Sequence, residues 1–261
     1  MFDYHMHTVV SYDAHNTGEE MVEAAIKAGM KEICFTDHLD YDPLDPNHNI
    51  AFDTEVYNAA YDHLHSDQVK IRRGMEFGML ADNADVMKKD LQRRHFDFVI
   101  GSAHFSDNLD PYFDQFWEGK TMEQAERCSL EQVLACVQAH DDFDVLGHLT
   151  YVSKAYANPC KRPILYDRYR QIVDEIFKVL IRKDKGIEVN TSGKDPVGVY
   201  LPSEDYLRRF KELGGRIVTV GSDAHNAARV GQYCHHACRM VADIFGYVCT
   251  FEDRKPIFHK L

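Results

Sequence analysis

The chain has 261 residues, 44 % of them hydrophobic, and carries a formal net charge of −12. This length supports one α/β barrel or two small domains, and the acidic balance excludes a general nucleic-acid binder, which needs a basic surface to release counterions from phosphates. A small phosphorylated molecule remains a possible partner, because bound divalent ions can dominate the local charge of an acidic protein.

The predicted elements alternate short β-branched or aromatic runs with longer amphipathic stretches, which is the pattern of a parallel sheet with crossover helices. The predicted strands are residues 2–5, 32–36, 69–75, 96–101, 144–146, 186–189 and 216–220. The predicted helices are residues 17–29, 54–66, 83–94, 122–140, 167–183, 203–213 and 235–245. Thr17 and Glu20 form a capping box that begins the first helix, and Gly29 ends it.

Two segments lie outside this alternation: residues 107–119 are interpreted as an aromatic and acidic loop over one end of the domain, and the tail 247–261 as an eighth, irregular strand. Seven β–α units without a linker favour a single barrel-like domain over residues 1–261. An open doubly wound sheet is the structural alternative, but no glycine-rich dinucleotide turn follows the first strand.

Residues that can bind a metal stand at the end of nearly every predicted strand. In chain order they are His5 and His7, Asp37 and His38, Glu76, His104, His148, Asn190, and Asp223 and His225. In a parallel barrel these positions face one rim, where barrel enzymes keep their active sites. Residues two apart in a strand point to the same side, so His5 with His7, and Asp223 with His225, form pairs for which a metal is the commonest partner.

These motifs resemble the PHP (polymerase and histidinol phosphatase) family in their order and spacing. The motifs are His5-x-His7, Thr36-Asp37-His38, Glu76, Gly101-Ser102-x-His104, Gly147-His148 and Ser222-Asp223-Ala224-His225. The segment Asn190-Thr191-Ser192-Gly193 and the chain length resemble the histidinol-phosphate phosphatase branch. The resemblance implies a distorted seven-stranded (β/α)7 TIM-like barrel and two or three divalent ions at one site.

The resemblance also implies the ligand sets. One ion would be held by His5, His7, Glu76 and Asp223; a second by Glu76, His104 and His148; and a third by Asp13, His38 and His225. Glu76 would therefore bridge two ions. Asp13 stands where some relatives carry a histidine, and His15 is the alternative third ligand. Nitrogen and oxygen ligands of this kind suit Zn, Mn or Fe.

The implied activity is metal-assisted hydrolysis of a phosphomonoester, with L-histidinol phosphate as the branch's substrate. Glu76, Asp223 and His225 are the predicted catalytic residues. Phosphate oxygens would meet the cationic side chains of Lys154, Arg162, Lys194 and Arg229. The alternatives are a broad-specificity phosphoesterase of the family, a nuclease, a non-catalytic metal-binding domain and a metal-dependent amidohydrolase.

Seven cysteines without zinc-ribbon spacing indicate reduced thiols in a reducing compartment. We expect no signal peptide at the start of the sequence, and no apolar run approaches the length of a membrane span. The sequence therefore predicts a cytoplasmic protein that binds neither nucleic acid nor membrane, and it leaves the oligomeric state open.

Overall fold

The computed structural model describes residues 1–261 and contains a parallel sheet with helices around it. The strands are β1 (Phe2–Asp3), β2 (Glu32–Phe35), β3 (His38–Asp40), β4 (Ile50–Ala51), β5 (Lys70–Gly78), β6 (Phe98–Ser102), β7 (Val145–Leu146), β8 (Gly186–Asn190), β9 (Val218–Gly221), β10 (Val248–Glu252) and β11 (Lys255–His259). The main sheet runs in the order β1-β2-β5-β6-β7-β8-β9, with every neighbouring pair parallel.

Backbone hydrogen bonds between the first and last strands of this order close the sheet into a barrel. The amide of Tyr4 donates to the carbonyl of Val220 at 2.8 Å, and the amide of Asp223 donates to the carbonyl of His5 at 2.8 Å. The predicted seven-stranded, distorted barrel is therefore confirmed, and the open-sheet alternative is wrong, because an open sheet would leave these edge groups unpaired.

Helices cover the outside of the barrel. They are α1 (Gly18–Lys27), α2 (Thr54–Tyr61), α3 (Ala84–Arg93), α4 (Asp114–Trp117), α5 (Met122–Ala139), α6 (Tyr166–Arg182), α7 (Lys194–Val197), α8 (Glu204–Glu212) and α9 (Cys234–Phe245). The predicted capping box of α1 is present: the Thr17 side chain accepts from the amide of Glu20, whose own side chain accepts from the amide of Thr17. None of the helices combines the length and apolar character that a membrane crossing requires.

Strand β5 is longer than predicted, and its extension shapes the site. A short strand, β3, pairs with its far end in parallel, with His38 opposite Glu76 and Leu39 opposite Phe77. Glu76 therefore lies inside a hydrogen-bonded strand rather than after its end. The second helix was predicted to span residues 54–66, and in the structure it ends at Tyr61.

The tail prediction is wrong, because the last residues form an antiparallel hairpin of β10 and β11 instead of an eighth strand. Asp253 and Arg254 both have positive φ, which reverses the chain and pairs it with itself. The carbonyl of Phe251 accepts a hydrogen bond from the Tyr4 hydroxyl inside the barrel, at 3.0 Å. The hairpin thus packs at the end of the barrel where the strands begin. The predicted 107–119 loop also contains the short helix α4.

Candidate metal centre

Glu76 is the centre of a buried group of imidazoles and carboxylates at the carboxyl end of the strands. Its side chain is fully buried, and Ser102 Oγ donates a 2.6 Å hydrogen bond to Oε1. One oxygen, Oε2, lies 3.1 Å from His5 Nε2, 3.2 Å from His38 Nδ1 and 3.6 Å from His7 Nε2. The other oxygen, Oε1, lies 2.9 Å from His148 Nε2 and 3.2 Å from His104 Nε2. The two oxygens thus face two different sets of imidazoles, which is the arrangement that a carboxylate bridging two ions requires.

Asp223 joins the first of these sets from the end of β9. Its Oδ1 lies 3.6 Å from His5 Nε2 and 3.4 Å from His7 Nε2. The residue has a φ of 56°, a left-handed conformation that aspartate tolerates better than most residues and that is concentrated at functional sites. The predicted set His5, His7, Glu76 and Asp223 therefore converges.

The third predicted set also converges, and the structure distinguishes between Asp13 and His15 as the ligand beside His38 and His225. Asp13 Oδ2 lies 3.2 Å from His225 Nε2 and 3.7 Å from His38 Nε2. His15 is exposed, and only its backbone amide contacts this region, by donating to the carbonyl of His225. Asp13 is therefore the residue whose side chain is available to a third ion.

Several buried atoms in this cluster have no hydrogen-bond partner, although polar neighbours are close. They are His5 Nε2, His7 Nε2, His38 Nδ1, Asp13 Oδ1 and Glu76 Oε2. Unpaired buried polar atoms are costly, and a divalent cation offsets that cost by accepting their lone pairs. Burial, followed by the neighbouring imidazoles of His225 and His38, holds the pKa of His7 well below its ordinary value, so its ring is neutral and able to coordinate. The residues present fit two or three divalent ions.

The carboxylates of the cluster are ionised. Burial raises the pKa of Glu76, but the imidazoles of His5, His104 and His38 lower it more, and the net value is well below the usual range. Burial likewise raises the pKa of Asp223, whereas Lys154 and His5 lower it, again with a value well below the usual range. Anionic carboxylates are the form of these ligands that metal binding needs.

Two buried carboxylates outside the predicted ligand set contact the predicted ligands. Glu188, on β8, accepts a 2.6 Å hydrogen bond from His5 Nδ1 and a 2.8 Å hydrogen bond from the amide of His148. Asp40, on β3, lies against the rings of His38 and His104. Sequence analysis missed both, although Asp40 is two residues after His38 and Glu188 is two residues before Asn190, a spacing that places each pair on one side of its strand.

Of the four predicted phosphate-binding cations, Lys154 makes a polar contact with this cluster. Lys154 Nζ contacts the Asp223 carboxylate and donates to Ser192 Oγ at 2.7 Å. The polar contacts of the other three lie elsewhere: Arg162 pairs with Glu126, Lys194 donates to the carbonyl of Gly198, and Arg229 pairs with Asp195. Lys154 is therefore the predicted cation that the structure brings into contact with the cluster.

One tyrosine ring lies against the cluster, and the 107–119 segment contributes further aromatic side chains to the protein surface and to the core. The Tyr151 ring lies 5.2 Å from His148 and 5.5 Å from His104, measured between ring centroids. Farther out, the exposed rings of Tyr112 and Tyr156 stack at 5.3 Å. Phe116 in the same segment is buried in the core. The segment is thus partly a packing element and partly an exposed aromatic surface.

Comparisons with known proteins agree with this geometry. A family model described as the PHP domain matches residues 3–192. The histidinol-phosphatase of Lactococcus lactis subsp. lactis is 31 % identical, over 97 % of this chain and 95 % of that protein. A probable histidinol-phosphatase of Clostridium acetobutylicum is 30 % identical, over 99 % of this chain and 96 % of its own length. The crystal structure of the L. lactis histidinol phosphate phosphatase with zinc, L-histidinol and phosphate has a TM-score of 0.84 at 29 % identity, and the match covers 98 % of both chains.

Proposed function

Because the chain belongs to the PHP domain family, we propose that it is a metal-dependent phosphomonoester hydrolase whose substrate is L-histidinol phosphate. The observation that carries the proposal is the convergence of all nine predicted ligands on Glu76 and its neighbours, with five buried ligand atoms left without hydrogen-bond partners. The choice of substrate rests on the relatives named histidinol-phosphatase, which match nearly the whole chain.

We assign the ions to the three ligand sets that converge. His5, His7, Glu76 and Asp223 would hold one ion, with Glu76 shared with the set of His104 and His148, and Asp13, His38 and His225 would hold the third. When bound, such ions lower the pKa of water towards neutrality and neutralise phosphate charge. Zn, Mn and Fe all suit this mixture of imidazole and carboxylate.

Lys154 is the protein cation that we assign to the phosphate. Its ammonium group contacts Asp223 and Ser192 beside the first ligand set, so it can turn to a phosphate oxygen without leaving the site. In the transition state the phosphoryl oxygens carry the developing charge, and a positioned cation stabilises it. The low pKa of Asp223 keeps this carboxylate without a proton, which argues for a role in holding an ion rather than in protonating the leaving oxygen.

His225 differs from the other imidazoles because it lies at the mouth of the cluster, with 30 % of its side chain exposed. Its Nδ1 donates to the carbonyl of Asp223 at 3.0 Å, which leaves the lone pair of Nε2 directed towards Asp13. In this tautomer we assign His225 to the third ion, where it would also limit the approach of the substrate.

The aromatic surface of Tyr112 and Tyr156 suits the organic part of the substrate. The imidazole of L-histidinol can stack on an exposed aromatic pair, and its ammonium group is a partner for aromatic faces and carboxylates. Asp110 lies beside this surface, where its Oδ1 accepts from the amide of Tyr112 at 2.8 Å. These residues would select the alcohol that leaves, while the ions bind the phosphate that every phosphomonoester shares.

The test is phosphate release by the purified full chain, loaded with Zn²⁺ or Mn²⁺, from L-histidinol phosphate and a panel of other phosphomonoesters. We expect a kcat/KM for L-histidinol phosphate at least tenfold above the rest, which would place the enzyme in histidine biosynthesis. Weak, even activity across the panel would instead indicate a broad-specificity phosphatase. No release from any ester, with metal shown to be bound, would mean that the site is correct and the reaction is not.

We also propose a cytoplasmic location and no nucleic-acid partner. All seven cysteines are free thiols in the structure, as a reducing compartment favours. The net charge of −12 disfavours a polyanionic partner outside the metal site.

A further inference from the structure

Asp40 lies between two imidazoles that belong to different proposed ion sites. Its Oδ1 accepts a hydrogen bond from His104 Nδ1 at 2.8 Å, and its Oδ2 lies 2.9 Å from His38 Nδ1. The residue is 4 % exposed, so water does not compete strongly for the carboxylate. A single buried carboxylate therefore contacts one ligand of the second ion and one ligand of the third.

Gly78 provides the space that this carboxylate occupies. A Cβ atom at Gly78 would lie 1.8 Å from Asp40 Oδ1 and 2.8 Å from its Cγ. Gly78 is the last residue of β5, two positions after Glu76. Any side chain at this position would push the carboxylate away from His104. The glycine is thus explained by the close approach of Asp40.

We propose that Asp40 is a positioning residue that couples the occupancy of the second and third ion sites. By accepting from His104 Nδ1 it fixes the tautomer in which the Nε2 lone pair faces Glu76 Oε1, 3.2 Å away. Its second oxygen lies 2.9 Å from His38 Nδ1 without making a hydrogen bond there, so its charge attracts an N–H at that atom and leaves His38 Nε2, on the side of Asp13, for the third ion. Carboxylates that hold ligand imidazoles in this way typically contribute about 10–100-fold to metal affinity. The inference rests on the proposed function, because it presumes divalent ions in this cluster.

The arrangement predicts which ions depend on Asp40. In Asp40→Ala the rings of His104 and His38 lose their shared partner, so the affinities of the second and third ions should fall about 10–100-fold. The ion held by His5, His7 and Asp223 should bind as before, because Asp40 contacts none of these ligands. Asp40→Asn keeps the shape but offers one acceptor oxygen instead of two, so its loss should be smaller.

Metal titration of the dialysed full chain, with a competing chelator and elemental analysis, tests this scheme. The variants are Asp40→Ala, Asp40→Asn, Gly78→Ala and the double variant, with Asp42→Asn as the matched control. Asp42 is a neighbouring carboxylate whose oxygen accepts from the loop amides of Leu44 and Asp45. Thermal unfolding of each metal-free variant shows that the chain is folded, and excess metal should restore kcat in those that lose affinity.

Gly78→Ala should reproduce the loss seen in Asp40→Ala, because it displaces the carboxylate without removing its charge. In the double variant the added methyl group meets no carboxylate, so the two losses should not add. Fully additive losses, or wild-type affinity at all sites in a folded Asp40→Ala, would overturn the inference while leaving the proposed function intact. A parent protein that binds no divalent ion would overturn both.

Discussion

The substitution Glu76→Gln should remove two ions and nearly all turnover. Gln replaces one of the two carboxylate oxygens with an amide NH₂ and removes the charge. In the structure those oxygens serve separate imidazole sets, with His5 Nε2 3.1 Å from Oε2 and His148 Nε2 2.9 Å from Oε1. One neutral acceptor cannot serve both sets.

The expected magnitude follows from this geometry. Residues that only orient a ligand contribute about 10–100-fold to metal affinity, so a shared ligand should contribute at least about 100-fold for each ion. That factor corresponds to about 2.8 kcal/mol for each ion, at about 1.4 kcal/mol for every tenfold. We expect kcat to fall at least about 10³-fold, since the chemistry needs both ions together.

The assay combines elemental analysis after dialysis with phosphate release from L-histidinol phosphate. Glu32→Gln is the matched control, because Glu32 is also a buried strand glutamate but contacts Tyr4 and Arg72 instead of the cluster. The control should lose stability and keep its metal. Near-normal activity and full metal content in a folded Glu76→Gln would refute the bridging assignment, whatever Glu32→Gln does.

Three further outcomes are expected. Glu188→Gln should weaken the ion held by His5 about 10–100-fold, as measured by chelator competition, because one of its two accepting oxygens is lost; unchanged affinity would contradict the role of Glu188 in orienting His5. Lys154→Met should lower kcat/KM about tenfold for L-histidinol phosphate and for p-nitrophenyl phosphate alike, because both share the phosphoryl group; a loss confined to the poorer leaving group would instead assign Lys154 to protonation. Arg209→Ala should lower the urea midpoint of unfolding at pH 7, because Arg209 Nη2 lies 2.6 Å from Asp174 on another helix, whereas Arg208→Ala, at an exposed pair within one helix, should lower it less. Since the hydrogen bond to Arg209 is the largest cause that lowers the pKa of Asp174, the Arg209 contribution should be present above pH of about 4 and disappear as the pH falls through the lowered pKa; a loss independent of pH would contradict the ion pair.

Much of the fold was predictable because the relevant signals are local. The capping box at Thr17 and Glu20 was identified from residue spacing alone and is present in the structure. The tail was not predictable in the same way, because nothing local distinguishes a strand that joins the barrel from one that pairs with its own neighbour. Asp253 and Arg254 form the turn with positive φ, a conformation that the sequence does not signal because neither residue is glycine.

The sequence by itself carried the motifs that resemble the family, and the resemblance predicted the barrel class and the nine candidate ligands. Geometry supported that prediction, because parallel strands place their carboxyl ends at one rim and alternate residues on one side. Only the tertiary structure decided that Asp13 rather than His15 turns to His225, and that Lys154 rather than Arg162 reaches Asp223. It also revealed the contacts of Asp40 with His104 and of Glu188 with His5, which join residues distant in sequence. Spacing along the chain fixes which face a side chain occupies, whereas the contacts it makes there depend on strands and loops that only folding brings together.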